Sequence, residues 1–272
     1  MSKIISYSLW GNKAIYTINA IKNADIAIEL FPDWECRYYI SPNVNPKIIE
    51  ELQKRKNTKL VFQQEDESWN GMFWRFYAAA DVPTINDAMI SRDADSLLNK
   101  RDKACVDQWL ASDKDFHIVR DNCAHNAKIM GGVWGVRNNI LGNIKELINN
   151  YSRKNNNNRK NIDQEFLWDI IYPIVKNKAF IHDAYKFFND GGVPPPIRRL
   201  GPYLPSEKPD NQDWPTLDDP YRTVKNNKLV YCGWCHRIAP GSFQGPTPIP
   251  VQPGQPPGNR GTTRLSLFSI HV

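Results

Sequence analysis

The stretch from Lys3 to Phe62 alternates between two hydrophobic periods, and that alternation constrains the fold more than any other feature. Lys3 to Trp10 is β-branched and aromatic and is closed by Gly11, the pattern of an opening strand. Ala14 to Leu30 then places Ile15, Ile18, Ile21, Ile26, Ala27 and Leu30 at helical spacing. Phe31-Pro32-Asp33 stops that helix. Cys36 to Ile40 reads as a second strand, Ser41-Pro42-Asn43 offers a cap, and Pro46 to Lys54 is a helix with Pro early in it. Lys59 to Phe62 is a third strand. Strand, helix, strand, helix, strand implies right-handed crossovers and an α/β fold: a Rossmann-like, mainly parallel sheet with helices on both faces.

The pattern continues through the middle of the chain. Trp69 to Ala80 reads as a helix and Asp87 to Ser91 as a short buried strand, which runs directly into Arg92-Asp93-Ala94-Asp95-Ser96. Ligands of open α/β sheets bind beyond the carboxyl ends of strands, which is where these carboxylates fall. A helix over Leu97 to Ala111 and a strand over Phe116 to Arg120 follow. Gly131-Gly132-Val133-Trp134-Gly135 reads as a glycine-rich turn and Asn139 to Tyr151 as a helix. After an Asn-rich loop at Asn155 to Asn158 come a helix from Asp163 to Val175 and a late strand from Lys178 to Ile181, closing at His182-Asp183.

From Gly191 onward proline dominates, beginning with Pro194-Pro195-Pro196, and no acidic residue occurs between His236 and Val272. The expected division is therefore a folded domain over 1–189 and a Pro-rich extension over 190–272, disordered beyond about residue 240. The 272 residues are 41% hydrophobic, enough for a core, and carry a net charge of +6. A nucleic-acid footprint needs clustered Lys and Arg, whereas the densest run here, Arg153 to Lys160, is mostly Asn. Nucleic acid is not an expected partner; a basic surface around a phosphorylated ligand is. No run approaches the roughly 18–20 apolar residues of a membrane span, and the first ten residues turn polar too soon for a secretory signal. The expected location is cytoplasmic, with no integral membrane segment.

Without a secretory signal, Cys36, Cys105, Cys123, Cys232 and Cys235 do not read as a disulfide framework. Cys232-Gly233-Trp234-Cys235-His236 satisfies the redox Cys-x-x-Cys and the haem-attachment patterns, but it lies in the Pro-rich extension without the context either needs. His117, Asp121 and His125 recur every four residues, yet Phe116 to Arg120 reads as a strand, so a helical metal site is not expected there.

Asp93 and Asp95 carry the clearest chemistry. Two Asp separated by one small residue at a strand end can present both carboxylates to one hard divalent cation. Such a cation, bridging two phosphates, stabilises a departing diphosphate as a Lewis acid. Asp-x-Asp by itself also describes a solvated turn; its position after a buried strand and a nucleotide-binding half-fold separates the two readings.

Taken in order, Tyr7-Ser8-Leu9-Trp10-Gly11, Phe73-Trp74-Arg75-Phe76, Ile90 to Ser96, Gly131 to Gly135 and Asp163-Gln164-Glu165-Phe166-Leu167 resemble GT-A-fold glycosyltransferases of bacteria and large DNA viruses. The resemblance covers roughly residues 3–188. It implies a mixed, mainly parallel GT-A-like sheet and metal-dependent transfer from a nucleotide-diphosphate sugar (UDP- or GDP-sugar, with Mn²⁺ or Mg²⁺) to a glycan or glycoconjugate, in the cytoplasm of a bacterium or of a viral host. By resemblance, Asp93 would touch the ribose or the metal and Asp95 would bind the metal directly. Arg75 and Arg92 would lie near the diphosphate, and Ser8, Leu9 and Trp10 would line the nucleoside pocket. Gly131, Gly132 and Trp134 would meet the sugar, and His182 or Asp183 would complete the metal shell. Asp163 would face the acceptor as a general base if the reaction inverts.

Each role has a plainer counterpart. Arg75 could be a surface residue, Asp163 a helix N-cap, His182 structural, and Trp134 part of the core. At the level of function, the alternatives are a non-catalytic nucleotide-sugar or carbohydrate-binding protein of the same fold, and a redox protein acting through Cys232 and Cys235.

Overall fold

In the computed structural model, seven strands form one sheet in the order β3-β2-β1-β4-β6-β5-β7. They are β1 (Lys3–Leu9), β2 (Glu35–Ile40), β3 (Thr58–Phe62), β4 (Ala88–Arg92), β5 (Phe116–Arg120), β6 (Val133–Arg137) and β7 (Ala179–Asp183). The structure describes residues 2–64, 68–121, 127–155, 159–186 and 188–197, and the backbone of β8 (Arg222–Lys225) and β9 (Lys228–Tyr231). All neighbouring pairs in the large sheet are parallel except those made by β6, which runs against both β4 and β5. The mixed, mainly parallel sheet expected from the sequence is therefore present. The last two strands pair antiparallel with each other, an element not expected in the Pro-rich extension. Residues 198–221 and 226–227 of that extension, everything from residue 232 onward including the Cys232–His236 motif, and His125 lie outside the described residues.

Alternation along the strands sends side chains to two separate cores. Ile5, Tyr7 and Leu9 of β1, with Cys36, Tyr38 and Ile40 of β2, pack under α1 (Ala14–Leu30) and α3 (Lys100–Leu110). Ile4, Tyr39 and Met89 face the other way. There they meet a 3-10 helix at Trp69–Asp81, α4 (Ile144–Asn155) and the helical run of α5 (Ile162–Phe166), a π-helical turn (Leu167–Ile171) and α6 (Tyr172–Val175). The π turn precedes Pro173, which lacks an N–H to offer the preceding turn.

Three local expectations need correction. The buried face of α1 is Thr17, Ala20, Asn23, Ala24 and Ala27, while Ile15 and Ile18 point outward. The aromatic bulk comes from the sheet instead: Tyr38 stacks on Tyr7 at 4.9 Å, and its hydroxyl donates to the Ala20 carbonyl, so only small helical residues fit above it. The cap of α2 (Pro46–Gln53) is Asn45, whose side chain accepts from the Lys47 N–H, and not Ser41 to Asn43. Val133 to Arg137 is strand, not turn. Gly135 suits that strand because a Cβ there would stand 3.0 Å from Ile90, from the Met89 carbonyl and from the Trp109 ring. It is a close approach between layers, not a chain reversal.

Candidate functional site

The strand order creates a crevice. From β1 the chain passes through α1 to β2 on one side, while the neighbour on the other side is β4, reached after β3 and the 3-10 helix. Such a reversal of order is the switch point at which open α/β sheets bind ligands, outside the carboxyl ends of the strands. Leu9 ends β1 there, and Arg92 ends β4 with Asp93, Ala94 and Asp95 following. Because β6 is antiparallel, its first residue, Val133, pairs with Arg92. The preceding Gly131-Gly132 therefore arrives at the same rim as Asp93. Residue spacing carries no sign of this, since these groups are brought together by the direction of one strand.

Arg75 organises the rim. It leaves the 3-10 helix with its backbone N–H donating to Ser8 Oγ at 2.9 Å. Its Nη1 lies 2.8 Å from Asp93 Oδ1, and its Nη2 lies 2.9 Å from Asp163 Oδ2. Asp163 also accepts from Gln164 Nε2, and Gln164 Oε1 accepts from the Gly131 N–H at 3.0 Å. Ser91 Oγ donates to the Gly131 carbonyl at 2.6 Å. A Cβ on Gly132 would overlap the Asp93 carboxylate, and one on Gly131 would overlap the Arg75 guanidinium. The glycine pair is thus required by close approach of backbone to charged side chains. Arg75 is not a surface residue.

The charges in this cluster differ in exposure. The Asp93 side chain is 30% exposed, whereas Asp163 is fully buried. Burial pushes the Asp163 carboxyl up, Arg75 opposes that, and the neighbouring Asp93 charge adds to it. Asp163 Oδ1 and Arg75 Nε are buried and have no hydrogen-bond partner among the described residues. The part of the cluster that a ligand can reach is therefore the Asp93 carboxylate, while Asp163 and Arg75 lie beneath it. Tyr16, on the first turn of α1, has its phenol pKa raised by partial burial and then by Asp95 and Asp93, so both carboxylates act on one ring.

The remaining expected site residues are distributed as follows. Ser8 is buried against Arg75, and Leu9 belongs to the core under α1. Trp10 is half-buried, edge-on to Trp74 at 5.9 Å and against Gly71. Arg92 is enclosed: it is 1% exposed and grips Asp102 of α3 with Nε and Nη2 at 3.0 and 2.7 Å. Trp134 is fully buried, stacked on Phe116 at 5.3 Å and edge-on to Phe76. It is core rather than a sugar platform. Asp163 opens α5 as an acidic first-turn residue, but its carboxylate is spent on Arg75 and has no surface to offer an acceptor.

His182 and Asp183 end β7, three strands from β4 in the sheet. Both His182 ring nitrogens are engaged, Nδ1 with His117 Nε2 at 2.8 Å and Nε2 with Gln108 Oε1 at 3.0 Å. Asp183 accepts from Arg120 Nη1 at 3.1 Å. Neither is brought to Asp93 and Asp95, and among the described residues no three His, Cys, Asp or Glu side chains converge as a metal cage. The residue the sequence reading missed is Asn23, fully buried beside the loop 94–98. Its signal was a lone amide within a stripe of small residues.

No family model and no curated protein sequence matches the chain. Solved structures similar to it include the following two. One is a glycosyltransferase involved in the glycosylation of the major capsid of PBCV-1, at 14% identity and a TM-score of 0.45, with 68% of this chain and 82% of that one covered. The other is the galactosyltransferase LgtC in complex with donor and acceptor sugar analogues, at 12% identity and a TM-score of 0.39, with 65% and 72% covered. Both are glycosyltransferases by name, the class to which the sequence motifs are similar. Among the described residues no helix is long and apolar enough to cross a membrane.

Proposed function

We propose that the chain is a glycosyltransferase that takes a sugar from a nucleotide-diphosphate donor, UDP- or GDP-linked, and passes it to a hydroxyl of a glycan or glycoconjugate. The observation that carries this reading is the Asp93 carboxylate, half-exposed at the β1/β4 switch point and held by Arg75. A switch-point crevice suits a nucleotide. The Asp93 carboxylate oxygens and a close-packed Gly131-Gly132 backbone suit the hydroxyl-rich surface of a sugar.

The residues fit a divalent cation in part. Asp93 and Asp95 offer hard oxygen donors on one side, and Mg²⁺-like ions are commonly held by one or two carboxylates with phosphate oxygens and water filling the other positions. When bound there, the ion would stabilise the charge of the leaving diphosphate. The chain's own residues do the rest. Arg75 holds Asp93 in place and keeps the buried Asp163 charge compensated; Gln164 fixes the Gly131 backbone; Trp10 offers a half-buried ring at the end of β1. With Asp163 enclosed, deprotonation of the acceptor hydroxyl is not assigned to it.

The test is a thermal-shift screen of the full chain with UDP and GDP compounds, with and without Mn²⁺, followed by turnover of the sugar donor that binds. A ligand at 100 times its dissociation constant stabilises the fold by about 2.7 kcal/mol. A Mn²⁺-dependent shift that disappears in Asp95→Ala, together with donor turnover, is the expected result. A shift without turnover toward any acceptor identifies a binding protein instead, and no shift with any nucleotide overturns the reading.

A further inference from the structure

The loop after β4 is held by α1. Within it the backbone closes one turn, from the Ser96 N–H to the Asp93 carbonyl at 3.2 Å. Asn23 of α1 donates from Nδ2 to the carbonyls of Ser96 at 2.9 Å and Ala94 at 3.4 Å, and its Oδ1 accepts from the Leu98 N–H at 2.9 Å. One turn earlier, Asn19 Nδ2 donates to the Asp95 carbonyl at 3.0 Å. The two amides therefore grasp the main chain from Ala94 to Leu98, with Asp95 in the middle.

Asn23 is fully buried in the interior of a helix, where an amide costs free energy unless its donors and acceptor are all paired. Here they are, and all to one loop. No other side chain reproduces the set. Asp has the acceptor but lacks the donors, Gln is a methylene longer, and Ala or Leu offers nothing. The neighbouring buried positions, Thr17, Ala20, Ala24 and Ala27, are filled for close packing, so an amide among them is there for its hydrogen bonds.

We propose that Asn23, with Asn19, is the positioning pair of the carboxylate loop: α1 sets the main chain around Asp95 and thereby aims that carboxylate at the cation and diphosphate. This rests on the donor-binding reading above. A merely structural role for Asn19 predicts the opposite pair of outcomes, a lower melting temperature with Mn²⁺-dependent binding unchanged; in the positioning role the better helix propensity of Ala offsets the lost hydrogen bond in the free protein and the loss appears in binding.

The experiment titrates Mn²⁺ with UDP and, separately, with GDP into the full chain by calorimetry, for wild type, Asn19→Ala and Asn23→Asp. Melting temperatures are recorded for the same samples without metal. Losing one hydrogen bond to the loop should weaken Mn²⁺-dependent nucleotide binding by about five- to tenfold in Asn19→Ala, with an unchanged or higher melting temperature and unchanged metal-free nucleotide affinity. Asn23→Asp, which sets a carboxylate against the Ala94 and Ser96 carbonyls, should weaken it further and lower the melting temperature. If wild type binds neither nucleotide with Mn²⁺, the donor-binding reading fails and the proposal goes with it. If wild type binds and Asn19→Ala binds equally well, the positioning proposal alone is overturned.

Discussion

Replacing Arg75 with Met tests the charge logic of the site without any ligand. Met keeps apolar bulk near the Phe76 ring, which the guanidinium now covers at 5.4 Å, and withdraws the charge from Asp93 and Asp163. Asp93 is 30% exposed and can turn toward water; Asp163 cannot. Removing one partner of a buried pair costs about 3–5 kcal/mol. Gln164 still donates to Asp163, so the lower end applies, about 3 kcal/mol at pH 7. For a domain of this size that is a fall of roughly 6–12 °C in melting temperature.

The pH dependence identifies the cause. With Arg75 gone, the remaining main influences on Asp163, burial and the Asp93 charge, both hold its pKa above the ordinary 3.8. A carboxyl with a folded-state pKa above its unfolded value binds more protons folded than unfolded. Its contribution is most favourable below pH 3.8 and is lost as pH rises through the raised value. The deficit of Arg75→Met against wild type, measured by urea denaturation of the full chain, should therefore shrink between about pH 7 and pH 5. Adding Asp163→Asn should recover part of it at neutral pH, a coupling of about 1–2 kcal/mol in the cycle. An equal deficit at both pH values, with strictly additive mutations, would refute the claim that a stranded buried carboxylate is the cause.

Two further outcomes follow from described contacts. Gly132→Ala places a Cβ into the Asp93 carboxylate and should displace it, costing about 1–3 kcal/mol of stability and abolishing the Mn²⁺-dependent nucleotide shift; a retained shift would show that Asp93 is not needed in its present position. Burial lowers the pKa of His182 from 6.5 to about 4 and that of His117 well below its usual value. The folded state then binds fewer protons, so stability is full above about pH 6.5 and falls as the pH drops toward 4. His182→Gln should flatten that acid limb in urea midpoints, and a limb of unchanged steepness would count against the buried pair as its source.

The sheet and its crossovers were legible because strand and helix periods alternate cleanly between Gly11, Pro32 and other breakers. What periodicity could not show was which side of a helix meets the sheet. On α1 the isoleucines have the stronger hydrophobic signal, but the helix face buried over the Tyr7 and Tyr38 rings is made of small residues. β6 was hidden because glycine signals a turn locally, while Gly135 answers to the Trp109 ring from another layer. Asp93 and Arg75 were placed together by their motifs. Arg92, which the resemblance set beside the same diphosphate, pairs instead with Asp102 on the next helix, and nothing adjacent in sequence marks an internal ion pair.

The reversed direction of β6 has an architectural consequence. β5 ends and β6 begins at the same rim, so the connection 121–132 leaves from and returns to the edge of the pocket. Its length is uncoupled from the register of the sheet, which Arg92 and Val133 set on their own. Residues added or removed before Gly131 would leave the contact of Asp93 over Gly132 where it is. If the proposed function holds, loops of different length can be grafted between β5 and β6 to test acceptor choice without disturbing the pairing of β4 with β6.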